Sequence, residues 1–129
     1  ITFMSAAVGD MKPKQFFPHK LSKKMLPSHL ELEIVADIVA QLGKIKQPHQ
    51  KIIGFAAQTG DIIAPAVEKL KKKQLDAIVT NAIDKEKRGF GSDTNEAVFI
   101  DKQGKQTPIP FTSKLIMAHQ ILNLSLSSL

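Results

Sequence analysis

The run Lys51-Ile52-Ile53-Gly54-Phe55-Ala56-Ala57-Gln58-Thr59-Gly60-Asp61 decides the fold. Its near-continuous apolar stretch suits a strand covered on both faces, as parallel sheets require. Thr59-Gly60-Asp61 then supplies a helix start, with Pro65 near the first turn, where its missing N–H is harmless. Ile62, Ile63, Ala66, Val67 and Leu70 recur at helical spacing, so this helix lays one stripe on the sheet and ends near Gln74. Residues 75–81, Leu75-Asp76-Ala77-Ile78-Val79-Thr80-Asn81, read as the next strand. A strand, a helix and a strand in succession imply a right-handed crossover between parallel neighbours.

The same alternation extends outward. Residues 1–7 read as a buried strand, and residues 11–29 as a long exposed loop broken by Pro13, Pro18 and Pro27. A loop of that length is usually functional or mobile. Residues 30–33 alternate like a short strand, and Ile34, Val35, Ile38, Val39 and Leu42 follow at helical spacing with Gly43 as the stop. Residues 44–50 form a polar linker, and residues 82–95 a polar loop. Residues 97–101 and 107–111 flank Gln103-Gly104 as a hairpin, apolar on one face through Val98, Ile100, Ile109 and Phe111. Ser113 caps a last helix that runs through Leu115, Ala118, Ile121 and Leu122. The reading is an α/β domain over residues 1–129, with a mostly parallel sheet and a C-terminal antiparallel hairpin extension.

Composition sets the remaining bounds. At 129 residues, 43% apolar and 23% charged, the chain is globular and about one domain long. No apolar run approaches the ~20 residues of a membrane-spanning helix. The absence of cysteine excludes disulfides and thiol catalysis. The chain opens inside a strand-like pattern without a basic leader, so a cytoplasmic piece of a longer polypeptide is expected. A net charge of +6 calls for a polyanionic partner, or for none, with the surplus lysine only keeping the protein soluble. With no Trp or Tyr, a stacking platform for single-stranded nucleic acid is poorly supported, whereas a nucleoside triphosphate suits a few convergent lysines. A basic α/β module for nucleic acid or acidic proteins is the alternative.

Three features carry candidate chemistry. Ser5-Ala6-Ala7-Val8-Gly9-Asp10 puts small side chains and one acid at the end of a strand, where a ligand can approach the backbone. Lys69 and Lys73 are i,i+4 neighbours that could grip a triphosphate, whereas Lys71 and Lys72 read as a solvated face. Lys20 stands in the long basic loop ten residues after Asp10. His19, His29, His49 and His119 are scattered without metal-ligand spacing, and Gly89-Phe90-Gly91 is a turn, too short for a phosphate loop.

In order, these motifs resemble the second half of bacterial phosphopantothenate–cysteine ligase, an enzyme of coenzyme A biosynthesis. The family pattern Ala-Ala-Val-Ala-Asp-Tyr is met by Ala6, Ala7, Val8, Gly9, Asp10 and Met11. Its Gly-Phe-Ala-Ala-Glu-Thr is met by residues 54–59, with Gln58 in place of the acid, and its Thr-Pro-Asp-Ile by Val35, Ala36, Asp37 and Ile38. Asn81 matches its Ala-Asn-Asp strand end, and Phe90-Gly91-Ser92-Asp93-Thr94-Asn95 is a close match. The resemblance implies a Rossmann-like three-layer fold and ligation of phosphopantothenate to cysteine through an acyl-cytidylate made from CTP. It implies Lys20 as the mobile catalytic lysine and Asp10 at the nucleotide sugar or a magnesium ion. Ala6, Ala7, Ala36, Asp37, Ile38 and Phe55 would line the nucleotide, Lys69 and Lys73 would hold its phosphates, and Asn81 would be a substrate or structural residue. It further implies a homodimer without nucleic acid or membrane partners, flavin only in a fused decarboxylase, and an earlier Gly-rich segment that is not in this sequence.

Overall fold

The computed structural model describes residues 1–83 and 92–128. It divides into two compact units, one of Ile1–Ser5 with Val39–Leu129 and a smaller one of Ala6–Ile38.

The larger unit is a five-stranded sheet with helices on both faces. Its strands are β1 (Thr2–Met4), β4 (Ile52–Gln58), β5 (Ala77–Ala82), β6 (Thr94–Asp101) and β7 (Gln106–Ser113), side by side in that order. Strands β1, β4 and β5 run parallel, with Phe3 opposite Ile53 and Ile53 opposite Ala77. Strands β6 and β7 are antiparallel to their neighbours, with a register shift between Asn95 and Ala97. This is the mostly parallel sheet with an antiparallel extension that the sequence implied. Alternate side chains build two cores. Ile53, Ala77, Val79, Ala97, Phe99 and Ile109 pack with Met117 and Ile121 of α3 (Lys114–Ser128). On the other face Ile52, Ala56, Ile78 and Ile100 pack with Ala66 and Leu70 of α2 (Ala64–Lys72) and with Val39 and Leu42 of α1 (Ile38–Ile45).

The smaller unit holds an antiparallel ribbon of β2 (Met11–Pro13) and β3 (Leu32–Ile34), with Met11 opposite Ile34. Ion pairs Lys12–Glu33 (3.0 Å) and Lys14–Glu31 (3.3 Å) flank it. A 3-10 turn spans Lys23–Met25.

Several boundaries differ from the sequence reading, each for a physical reason. The first strand stops at Met4 instead of running to residue 7, because the exposed Ser5, Ala6 and Ala7 carry too little apolar surface to hold a ladder. Residues 11–29 are not all loop, since β2 lies within them, held by pairing across about twenty residues that periodicity does not report. The first helix begins at Ile38 and runs through Gly43 instead of stopping there. Gly43 is a close-approach residue: a Cβ on it would lie 1.9 Å from the Lys73 carbonyl oxygen. The second helix begins at Ala64 and ends at Lys72, with Gln74 at φ 53 turning the chain into β5. The hairpin is longer than expected but turns where it should, with Gly104 at φ +87. The hairpin does not gather its apolar residues on one face: Ile109 is buried with Ala97 and Phe99 on the α3 side, Ile100 is buried with Val98 packed beside it on the α2 side, and Phe111 is exposed, because the register sets Ile109 opposite Ala97 and not opposite Val98 or Ile100. Ser113 does cap the last helix, its Oγ accepting from the Ile116 N–H at 3.3 Å. The inward face of that helix is Met117, Ile121 and Ser125, so Leu115, Ala118 and Leu122 point outward. The loop expected at 82–95 is shortened by β5 and β6, and residues 84–91 lie outside the described residues.

Asp76 fastens the crossover between β4 and β5. Its side chain is 3% exposed, accepts from Lys46 Nζ at 2.5 Å and from the Ile52 N–H at 2.9 Å, and lies 4.0 Å from Lys51 Nζ. Burial pushes this carboxyl up, but the Lys46 and Ile52 hydrogen bonds and the two ammonium charges outweigh it, so its pKa lies below the usual value. A depressed folded pKa contributes stability that is present above the unfolded value, near 3.9, and is lost as pH falls through the folded value. Asp76→Asn is therefore expected to cost about 3 kcal/mol at pH 7, because Lys46 keeps its charge without a counter-ion. In urea titrations the gap between variant and wild type is expected to close below about pH 4. A gap unchanged down to pH 2 would contradict this role for the carboxylate.

Candidate functional site

In open α/β sheets, ligands bind beyond the carboxyl ends of the parallel strands. At that end of the larger unit, Phe55 is 39% exposed and Ala57 is exposed, both on the side of β4 that carries the buried Ile53. Register places Ala57 opposite Asn81, so the half-buried Asn81 shares this shelf. Asn81 Nδ2 donates to the Ala82 carbonyl at 3.2 Å. The loop from β4 into α2 is pinned from both ends. Thr80 Oγ1, fully buried, donates to the Ile62 carbonyl at 3.0 Å, and Asp61 Oδ1 accepts from the Ile63 N–H at 2.9 Å. Because β6 is antiparallel to β5, its start returns to the same end. There Ser92 Oγ lies 3.1 Å from Thr94 Oγ1, and the buried Asn95 turns its Oδ1 to the Glu96 N–H at 3.0 Å. Phe90 and Gly91 of that motif lie outside the described residues.

Three separate sequence motifs, residues 54–59, Asn81 and residues 92–95, therefore converge at one end of the sheet. Gln58, which stands where the ligase pattern has an acid, ends β4 with a buried Nε2 that has no hydrogen-bond partner among the described residues. Lys69 and Lys73 are not part of this convergence. Lys69 lies in the last turn of α2 and Lys73 caps it, the Lys73 N–H donating to the Lys69 carbonyl at 3.0 Å, but α2 runs back along the sheet. Its C-terminal turn lies at the amino ends of the strands, where the Asp76 N–H meets the Ile52 carbonyl at 2.9 Å.

The smaller unit brings a second set together. The Val35 N–H donates to the Asp10 carbonyl at 2.9 Å, so Asp10 and the run Ala36-Asp37-Ile38 stand at the same foot of the ribbon although 26 residues separate Asp10 from Ala36. Asp10, Ala36 and Asp37 are exposed, as are Ala6 and Ala7. Lys20 is exposed on the stretch between β2 and β3, without a side-chain hydrogen bond or ion pair among the described residues. No group of three or more acidic, His or Cys side chains that could hold a metal occurs among the described residues.

Sequence reasoning overlooked Thr80 and Asp76. Both were absorbed into the apolar run of β5, where a lone hydroxyl and a lone carboxylate were the available signals.

The profile of the DNA/pantothenate metabolism flavoprotein C-terminal domain matches residues 1–128. The chain belongs to that family. Its domain is 41% identical over 122 residues to the coenzyme A biosynthesis bifunctional protein CoaBC of Bacillus subtilis (strain 168), covering 95% of this chain and 30% of that protein. The CoaBC protein of Borreliella burgdorferi is 37% identical over 123 residues, covering 93% and 30%. Among solved structures, the C-terminal domain of a CoaBC protein superposes with a TM-score of 0.69 at 32% identity, covering 92% of this chain and 48% of that one. The flavoprotein C-terminal domain chain therefore spans about a third of these curated relatives and half of the solved domain. The family is the one its ordered motifs resembled, and the solved neighbour shares its mixed α/β sheet. Among the described residues no helix is long and apolar enough to cross a membrane.

Proposed function

We propose that this domain works in coenzyme A biosynthesis as the nucleotide-handling part of a CTP-dependent phosphopantothenate–cysteine ligase. The observation that carries the reading is the convergence of residues 54–59, Asn81 and residues 92–95 at the strand carboxyl ends, in a chain whose relatives are named for coenzyme A biosynthesis. In this reading a carboxylate oxygen of phosphopantothenate attacks the α-phosphorus of CTP, and the bond to pyrophosphate breaks. The amine of cysteine then attacks the acyl carbon, loses a proton, and CMP leaves with the bonding pair. Such chemistry asks the protein mainly to align two anions and to neutralise charge as it develops. In the larger unit Phe55 and Ala57 offer exposed apolar surface to a base; in the smaller unit Asp10 and Asp37 carry exposed carboxylates suited to sugar hydroxyls. Lys20 supplies a free ammonium for the reacting phosphate. Magnesium enters this proposal only as a companion of the triphosphate, and no step is assigned to it.

Calorimetry with the 129-residue chain tests the reading. CTP is expected to bind more tightly than ATP or duplex DNA. The lysines at the end of α2 stand at the other end of the sheet, so alanine at Lys69, Lys71, Lys72 or Lys73 is expected to change CTP affinity less than about twofold. A large loss confined to Lys69 and Lys73 would put the phosphates at the amino ends of the strands and contradict the carboxyl-end site, and duplex DNA binding as tightly as CTP would indicate a diffuse basic surface.

A further inference from the structure

We propose that a cavity at the amino ends of the strands is a binding site for a phosphomonoester with a small apolar body. The cavity encloses about 370 Å³, within the range of small-molecule sites, and is lined by Lys46, Leu70, Lys71, Gln74, Leu75 and Lys102. The last turn of α2, the approach to β5 and the turn between β6 and β7 meet there. From Ile52 to Gln58, β4 spans about 20 Å, so one small ligand cannot reach both this cavity and the carboxyl-end shelf. Leu70 and Leu75 are buried members of the core on the α2 face and give the cavity an apolar wall. Gln74, at φ 53, holds a left-handed conformation that Gly or Asn usually takes after a helix. Gly there would end the helix with less strain, whereas Gln adds a side-chain amide to the rim.

Charge selects the ligand. Lys46 is held in place by Asp76, and its side chain is 15% exposed, so this ammonium already has its counter-ion. Lys71 and Lys102 are exposed and make no side-chain hydrogen bond or ion pair among the described residues. The two acids nearest in the chain are engaged elsewhere. Asp76 is taken by Lys46 and the Ile52 N–H, and Asp101 Oδ1 accepts from the Gln103 and Lys105 N–H groups at 3.0 and 2.9 Å. Two ammonium charges therefore line the cavity without a carboxylate to answer them. They match a phosphomonoester, which carries close to two negative charges above its second pKa near 6, better than a carboxylate with its single charge. The carbonyl end of α2 opposes an anion, and Lys71 stands in that last turn to offset it. The apolar wall asks for a ligand with more than a phosphate, since inorganic phosphate leaves Leu70 and Leu75 uncovered.

This site stands apart from the ligase reading, and its test measures binding alone. Amide NMR of the 129-residue chain with phenyl phosphate, from about 0.1 to 20 mM, is expected to show saturable shifts at residues 70–75 and 101–103. Replacing Lys71 and Lys102 together by alanine is expected to raise the dissociation constant at least about tenfold, with the wild-type melting curve retained. Lys44→Ala, at the end of α1 and outside the cavity, is expected to change it less than about twofold. Inorganic phosphate lacks the apolar body and benzoate the second charge, so each is expected to bind at least about fivefold more weakly. No saturable shift at residues 70–75 overturns the proposal. So does a constant unchanged by the double substitution, an equal loss in Lys44→Ala, or equal binding of inorganic phosphate or benzoate. A response confined to Phe55 and Asn81 would place the anion at the carboxyl-end site and overturn it as well.

Discussion

Replacing Lys20 by alanine is expected to lower ligase turnover at least about a hundredfold while leaving the unfolding transition in place. The assay places this segment in the full-length Bacillus subtilis relative, in exchange for its counterpart. The size follows from what one preorganised charge is worth against a developing oxyanion in a water-poor site, about two to three orders of magnitude. The selectivity follows from the structure. Lys20 is exposed and makes no side-chain hydrogen bond or ion pair among the described residues, so its removal takes nothing from the fold. Lys23 and Lys24, on the neighbouring 3-10 turn, are the controls, and alanine at either should change turnover less than about threefold. Comparable losses at all three would reduce Lys20 to a share of the loop's general positive field.

Gly43→Ala is expected to destabilise the larger unit by about 3 kcal/mol, and two physical effects compete for the sign. Helix propensity alone favours alanine inside α1 by about 1 kcal/mol. Against this, the new methyl would stand 1.9 Å from the Lys73 carbonyl oxygen and 3.0 Å from its carbon. Both are backbone atoms at the end of α2, so no side chain can swing aside, and α1 must move off α2. Overpacking of that kind costs about 1–3 kcal/mol, occasionally more, and exceeds the propensity gain. Urea denaturation reads the result directly. A variant more stable than wild type would show that the two helices do not meet as described.

The same glycine shows what the sequence conceals. Gly43 closes an apolar helical pattern and reads as a stop, because nothing local reports that another helix passes within van der Waals distance. The strand of residues 51–57 is legible because its buried residues, Ile52, Ile53, Gly54 and Ala56, leave an unbroken apolar run, Phe55 and Ala57 included. Ser113 was legible because capping is a local hydrogen bond. The β2–β3 ribbon was not, since its pairing joins Lys12 to Glu33 and Lys14 to Glu31 across a long intervening stretch. Those opposed charges are the one local trace it leaves. The inward face of α3 is concealed for a different reason: a helix apolar all round offers periodicity no single stripe to select. At the site, Phe55 and Asn81 could be placed because their strands fix both face and end. Lys69 and Lys73 stand one turn apart, the Lys73 N–H meeting the Lys69 carbonyl at 3.0 Å, but which end of the sheet they occupy depends on the direction in which α2 returns.

The nucleotide products of one turnover test the central claim most directly. With CTP, phosphopantothenate and cysteine, phosphorus NMR of the full-length chimaera carrying this segment should show one CMP and one pyrophosphate per amide bond formed. Both should vanish when phosphopantothenate is left out. CDP with inorganic phosphate would mean that an acyl-phosphate, not an acyl-cytidylate, carries the reaction, and would contradict the account.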